Sequence, residues 1–375
     1  MNKENKYFFF FISTSDFNFL LPLILNFINS EIIFYQKQPE NSNALELLSY
    51  FDIKYINISN KKIAFIERIF NFLSRFGIKV FDNYLYYEAS NLKKFIKSNS
   101  KYFDDAIIIF DHTDSISSKK LINILRLHQV KSIISLPQGT NHFLNKLTNV
   151  IDTSHKKMNL SHFDKVICNS EKDKCLFEGD IEVINNLRNH KEWIDVLLTF
   201  HKKKYIKKIV NNGKCNVLII CSQSVGNINI REYGRLIKIL HDSNKYDVTD
   251  AAHARDKEDR RYLVKYKNLF TFANRDLFQE IIQSDLVINF QSSAVNDAIL
   301  LKKMVVNMDY ATSNLMQSDF LNRCIRMESP DNFLSFVESF NISKISNLSY
   351  NPPNINKSFN SILEDWKFFF KELNK

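Results

Sequence analysis

The feature that most constrains this chain is the alternation of short apolar runs with stretches of helical period, kept up along almost its whole length. "DDAIIIF" (104–110) and "CNVLIIC" (215–221) have no polar alternation, the mark of strands buried on both faces. A first series predicts strands at 7–12, 31–36, 54–58, 104–110, 131–136 and 163–168. Helices are expected between them at 17–29, 42–51, 61–75, 86–98 and 117–128. After "IEVIN" (181–185) comes a basic helical stretch at roughly 190–209. A second series predicts strands at 215–221, 246–251, 286–288 and 304–306 and a short one in "LFTF". Its helices fall at 229–241, 256–265 and 275–283, with another after "NFQSS". The final helix is expected over 356–373.

Two such series imply an α/β fold of two Rossmann-like domains, each a parallel sheet with helices on both faces. Asn211-Asn212-Gly213 marks the expected boundary, giving domains 1–210 and 211–350. The loop-forming stretch "NISKISNLSYNPPNINKS" (341–358) would let the last segment, 351–375, return to the first domain.

The start of the chain, "MNKENKYFFFFISTSDFNFLLPLILNFI", has the basic opening and apolar content of a signal segment. Ser13-Thr14-Ser15-Asp16 divides it into a strand-length half and a helix-length half, each too short to span a bilayer. Strand, turn and helix is therefore the reading. Net charge is +10, which would admit nucleic acid, anionic lipid or phosphorylated substrates. The lysines are scattered, with no zinc-finger spacing and no RNP-like aromatic motif, so nucleic acid is not the expected partner. Five cysteines, an odd number with no C-x-x-C pair, fit a reduced, cytoplasmic protein without structural zinc.

Open α/β sheets bind ligands at the carboxyl ends of their strands, so those loops hold the candidate residues. The apolar run at 286–288 stops on a polar turn, Asn289-Phe290-Gln291-Ser292-Ser293. Ser292 or Ser293 fits a helix N-cap, and the exposed N–H groups of such a first turn also suit a phosphate. Asp297, one turn along, could accept hydrogen bonds from two ribose hydroxyls; it could equally be a solvated residue on a capped helix. Strand 215–221 runs into Ser222, Gln223, Ser224 and Gly226. Gly226 would let backbone approach an anion, although neither glycine-rich phosphate fingerprint occurs. His253 and Arg255 follow strand 246–251. Arg255 could grip a diphosphate bidentately and His253 could bond a leaving oxygen, or both could belong to a surface charge cluster.

In the first half, Asp16 ends one strand and reads as a cap for the next helix or as a base. Asp111, His112, Thr113 and Asp114 end another, the best-placed general-base cluster, or else an Asx-type turn. Gln138, Thr140, Asn141 and His142 follow the next strand. A D-x-D metal–diphosphate triplet is absent, as are H-E-x-x-H and G-x-S-x-G, so metal-free chemistry is expected.

The segment "FQEIIQSDLVINFQSSAVNDAILLKKMVVNMDY" (278–310) resembles the donor-nucleotide region of GT-B glycosyltransferases of bacterial surface-polysaccharide assembly and related sugar-nucleotide enzymes. "SLPQGTNHF" and "HFDKVICNSEKDKCLF" resemble the last strands of the first domain in that class. The resemblance implies two Rossmann-like domains facing across a cleft, acceptor-binding over 1–210 and donor-binding over 211–350. It implies a metal-independent enzyme without cofactor that moves sugar from a nucleotide donor to a glycan or lipid-linked glycan of capsule, O-antigen or lipooligosaccharide type. Ser222, Gln223, Gly226, His253, Arg255, Gln291, Ser292, Ser293 and Asp297 would bind the donor. Asp114, Asp16 and His253 would be catalytic, and Asp111, Gln138, Thr140 and Asn141 would lie on the acceptor side. Many relatives have His-Gly where this chain has Gln138-Gly139, and glutamate where it has Asp297. A sugar-nucleotide 2-epimerase or hydrolase, and a non-catalytic glycan- or partner-binding protein, are the rival readings. Trp366, Lys367, Phe368, Phe369 and Lys371 on the last helix could touch the inner face of an anionic membrane, although packing of that helix across the domains is the stronger expectation.

Overall fold

The computed structural model describes residues 6–11, 17–26, 30–34, 43–57, 94–99, 101, 103–111, 116–136, 142–146, 157–205, 213–221, 228–251, 266, 268–273, 276–317, 320–341 and 357–373. It divides into two compact units. Unit 1 comprises Met1–Thr140, His155–Arg188 and Lys357–Lys375; unit 2 comprises Asn141–Ser154 and Asn189–Asn356. Each unit is thus made of segments that are not contiguous in sequence.

In chain order the strands are β1 (Tyr7–Phe11), β2 (Ser30–Phe34), β3 (Tyr55–Asn57), β4 (Ile107–Asp111), β5 (Ser132–Leu136), β6 (His142–Asn145), β7 (Met158–Asn159), β8 (Lys165–Cys168), β9 (Phe177–Glu178), β10 (Ile181–Val183), β11 (Cys215–Cys221), β12 (Tyr246–Ala251), β13 (Thr271–Phe272), β14 (Leu286–Phe290), β15 (Met304–Asn307), β16 (Asn314–Gln317) and β17 (Ile325–Arg326). The helices are α1 (Phe17–Ile24), α2 (Asn43–Tyr50), α3 (Ile116–Arg126), α4 (Lys191–Tyr205), α5 (Ile230–Asp242), α6 (Leu277–Gln283), α7 (Val295–Leu300), α8 (Pro330–Ser339) and α9 (Phe359–Glu372). The helices expected at 61–75 and 256–265 lie outside the described residues.

Unit 1 is built on a parallel sheet of order β10-β8-β5-β4-β1-β2-β3. The aromatic run of β1 is explained by its interior place. Phe8 and Phe10 face a core with Ile108, Phe110, Ile133, Phe103 and, from α3, Leu121, Ile122 and Leu125. Tyr7, two residues from Phe9 on the alternate face, packs edge-on against Phe370 of α9 at 5.1 Å. Helix α9 also donates the Trp366 indole N–H to the Asn185 carbonyl at 3.2 Å. Trp366, Phe369 and Phe370 are buried, so of the aromatics considered for a membrane only Phe368 (64% exposed) is left outside. Among the described residues no helix is long and apolar enough to cross a membrane.

Unit 2 holds a second parallel sheet, β13-β12-β11-β14-β15-β17. Its period-2 alternation separates two cores. Val217, Ile219, Leu286, Ile288, Met304 and Val306 pack with α5 and α8. Leu218, Ile220, Val287 and Val305 pack with α6 and α7. The strand-order reversal lies between β11 and β14, the switch point beyond whose carboxyl ends such sheets take ligands. Gly234 in α5 lets the Tyr266 ring lie where a Cβ would be, 2.5 Å away. β6 pairs antiparallel with β16, Asn145 opposite Asn314 and His142 opposite Gln317. The sequence reading treated residues 136–143 as a loop of the first domain. Pairing with a strand near residue 315 overrides that local preference.

Helices α4 and α6 meet around His201, which is 3% exposed. Its Nδ1 lies 3.2 Å from Gln279 Nε2, its ring stacks on Phe278 at 5.1 Å, and Asp276 Oδ2 is 3.6 Å from Nε2. Burial lowers the imidazole pKa to about 4 in spite of that carboxylate, because desolvation outweighs one contact at this range. The unfolded chain therefore binds the proton more tightly. Stability is fully present above about pH 6.5 and falls as pH drops towards 4, by roughly 3 kcal/mol from this residue. Urea denaturation at pH 7 and pH 5 should show the loss, and His201→Leu should flatten it.

Candidate functional site

The carboxyl ends of β14 and β15 carry a buried polar chain. Asn289 and Asn307 lie opposite one another in the parallel register, on the face of Val287 and Val305. Asn289 Nδ2 donates to Asn307 Oδ1 at 2.6 Å, and both residues are essentially inaccessible. Asn307 Nδ2 donates in turn to Asp309 Oδ1. Asp309, 4% exposed, begins a 3-10 turn over Asp309–Ala311. Its Oδ1 also accepts from Gln291 Nε2 at 3.2 Å, and its Oδ2 pairs with Arg326 Nε of β17 at 2.5 Å. The Asp309 carbonyl accepts from Lys146 Nζ, at the end of β6. Burial lowers the Lys146 pKa; Asp309 opposes the shift and Arg326 adds to it.

The turn after β14 is shaped by this chain. Gln291 has φ +58°, a left-handed backbone that costs a side-chain-bearing residue on the order of 1 kcal/mol or more. Its side chain is fully buried and tied at both ends, because Oε1 accepts the Met316 N–H of β16 at 2.7 Å. Ser292 donates its N–H to Asn289 Oδ1 at 2.9 Å. Side-chain partners thus hold a conformation that glycine usually supplies.

Four of the sequence-predicted donor residues lie here. Gln291, Ser292 and Ser293 form the turn, and Asp297 (7% exposed) sits in α7. The expected serine cap is not formed. Ala294 is the N-cap, with helical backbone and no side-chain hydrogen bond, and the Val295 and Asn296 N–H groups bond to the Ser292 and Ser293 carbonyls. Ser292 Oγ accepts only a long 3.4 Å bond from Ala294 N–H. Ser293 is exposed and its hydroxyl makes no hydrogen bond among the described residues. With six residues, α7 is also a short source of helix dipole. Asn289, read as part of a turn, is in fact the fourth residue of β14.

Asp16, Asp114, Gln138, Thr140, Asn141, Ser222, Gln223, Gly226, His253 and Arg255 lie outside the described residues. Asp111 ends β4, and its side chain lies outside them as well. Asn307, Asp309, Arg326 and Lys146 were missed. An asparagine interrupting an apolar run in both "LVINF" and "MVVN" was the available signal; only the register shows that the two meet. Another buried carboxylate lies near the end of β12: Asp250, fully buried, accepts from the Tyr233 hydroxyl of α5. Burial pushes the thiols of Cys168, Cys215 and Cys324 up to about 12, which keeps them from ionising at neutral pH. Among the described residues no three His, Cys, Asp or Glu side chains are grouped to hold a metal.

No family model and no curated protein matches the chain. Solved structures do, over the full length. A Listeria monocytogenes protein provisionally assigned as a UDP-N-acetylglucosamine 2-epimerase aligns with TM-score 0.61 at 15% identity, over 100% of this chain and 98% of that one. The UDP-GlcNAc 2-epimerase of Neisseria meningitidis, solved bound to UDP-GlcNAc, aligns with TM-score 0.55 at 11% identity, over 98% and 100%. A glycosyltransferase from Rickettsia africae aligns with TM-score 0.53 at 14% identity, over 100% of both. At these identities the likeness gives the fold, two parallel α/β sheets of the GT-B-like type with a C-terminal helix.

The Asn289–Asn307 pair is open to direct measurement. Asn289→Ala leaves Asn307 Oδ1 and the Ser292 N–H without their partner in a buried setting, and should cost about 2–4 kcal/mol. The urea midpoint, compared with wild type at equal m-value, reads the change.

Proposed function

We propose that this protein acts on a nucleotide-activated sugar, with the nucleotide held by unit 2 beyond the carboxyl ends of β11 and β14. The observation that carries the proposal is full-length likeness to solved UDP-GlcNAc 2-epimerases, one of them bound to UDP-GlcNAc. The first reading is a sugar-nucleotide 2-epimerase or hydrolase, metal-independent. Transfer of the sugar to a surface-glycan acceptor is the second reading, favoured by the likeness to the Rickettsia africae glycosyltransferase.

In either reading Asp297 accepts from the ribose hydroxyls and the exposed Ser293, with Ser292, meets the phosphates. Arg255 and His253 are proposed to stabilise the departing diphosphate, with Ser222, Gln223 and Gly226 beside it. Asp114, and after it Asp16, is the proposed carboxylate base. For the transferase, Asp111, Gln138, Thr140 and Asn141 are proposed to meet a glycan or lipid-linked acceptor. The proposed setting is the cytoplasm, with peripheral membrane contact through Phe368, Lys367 and Lys371 in the transferase case.

Incubation with UDP-GlcNAc and no acceptor separates the readings. An epimerase or hydrolase consumes the substrate or changes its C2 configuration, visible by proton NMR; a transferase leaves it nearly untouched. Asp297→Ala should weaken binding of UDP about tenfold or more by calorimetry, the loss of a charge-assisted contact. Unchanged affinity would remove Asp297 from the site, and no nucleotide binding by wild type would favour a non-catalytic scaffold.

A further inference from the structure

We infer that Asp309 is a positioning residue for the turn 290–294, acting through Gln291 and touching no ligand itself; the inference rests on reading that turn as part of the nucleotide site. Gln291 is held at φ +58° although it is neither glycine nor asparagine. What holds it is side-chain chemistry. Its amide nitrogen is anchored on Asp309 Oδ1 and its amide oxygen on the Met316 N–H, both out of contact with water. Gln291 directly precedes Ser292 and Ser293, so its backbone direction sets where those two hydroxyls point.

Asp309 is the residue on which these constraints converge. One carboxylate oxygen accepts from Gln291 and Asn307, the other pairs with Arg326. Asn307 carries the tie onward to Asn289, whose side chain holds the Ser292 N–H. Both halves of the turn are therefore referred to the same carboxylate, from the Gln291 side and from the Ser292 side. An asparagine in its place has only one acceptor oxygen for three donors. With Arg326 drawing that oxygen, the amide NH2 faces the Gln291 and Asn307 donors. With Arg326 removed, the oxygen can turn back to Gln291 and Asn307.

That asymmetry yields a test on the full-length protein. Nucleotide affinity is measured by calorimetry with whichever of UDP, GDP, CDP or CMP raises the wild-type melting temperature, for wild type, Asp309→Asn, Arg326→Met, the double variant and Val337→Ala. Val337, buried on α8 in the core opposite the Asn289 face, serves as the destabilised control. The expected result is a roughly tenfold rise in Kd for Asp309→Asn. The double variant should return to within about threefold of Arg326→Met, and Val337→Ala should keep wild-type Kd at a lowered Tm. Kd within twofold of wild type for folded Asp309→Asn, or a loss in Val337→Ala that tracks its Tm equally, overturns the positioning role while leaving the nucleotide reading intact. Failure of wild type to bind any of the four overturns both. Should Asp309→Asn not fold, Gln291→Asn carries the same test. Asparagine accepts the left-handed backbone but is one methylene too short to keep both ties, so its Kd should rise similarly, and an unchanged Kd again overturns the inference.

Discussion

A hydrogen bond between two asparagine side chains, Asn289 and Asn307, is the constraint on which the second unit depends. Parallel strands buried on both faces are ordinarily specified by shape alone, and branched aliphatics tolerate a slipped register with modest loss. A buried amide does not. Moved by one residue, each asparagine would face hydrocarbon with its hydrogen-bonding groups unmet, at a cost of several kcal/mol. The pair therefore specifies the β14–β15 register more sharply than Val287 and Val305 can. The rest of the polar chain stands on that alignment, because Asp309, Gln291 and Ser292 receive their partners only when the two amides meet.

The same chain shows how the turn after a buried strand is fixed without glycine. The protein has six glycines in all. Where a flexible residue would ordinarily turn the chain after β14, a glutamine is fixed by two hydrogen bonds. The arrangement exchanges backbone freedom for side-chain ties. It also draws Lys146 of the β6–β16 ribbon and Arg326 of β17 to one carboxylate-bearing turn, so cations border the edge that faces the strand termini.

Much of the architecture was legible in the residues. The period-2 and period-3.6 patterns located β4, β5, β11, β12, β14, β15 and the helices α3, α5 and α9, with bounds shifted by a few residues. "YFFFF" was readable as a strand because Ser13–Asp16 interrupts the apolar run. β6 was not readable, since "HFLN" has no pattern of its own and its partner is some 170 positions away. The serine cap failed for a related reason. Capping propensity is a local preference, and the Val295 and Asn296 N–H groups that a serine cap would take bond instead to the Ser292 and Ser293 carbonyls. Within the site, Gln291, Ser292 and Asp297 were visible as polar residues at a strand end. Asn307, Asp309 and Arg326 were not, because what makes them partners is the sheet order, and the sheet order is a property of no single segment. Function is harder still. One fold carries epimerases and glycosyltransferases alike, so the sheets leave the chemistry open and the side chains must decide it.

The interleaving of the two units has a consequence for how the protein is made. Tyr7 and Asn185 receive Phe370 and Trp366 from α9, and β6 receives β16. During synthesis the first sheet emerges long before the helix that covers it, and β6 emerges long before the strand that completes it. Neither unit can close while its last-made segment is still on the ribosome. The nascent chain must carry an uncovered aromatic sheet through most of its elongation, a state in which aggregation or chaperone capture competes with folding. Cutting the gene near the middle would yield two fragments that each lack a piece of their own core.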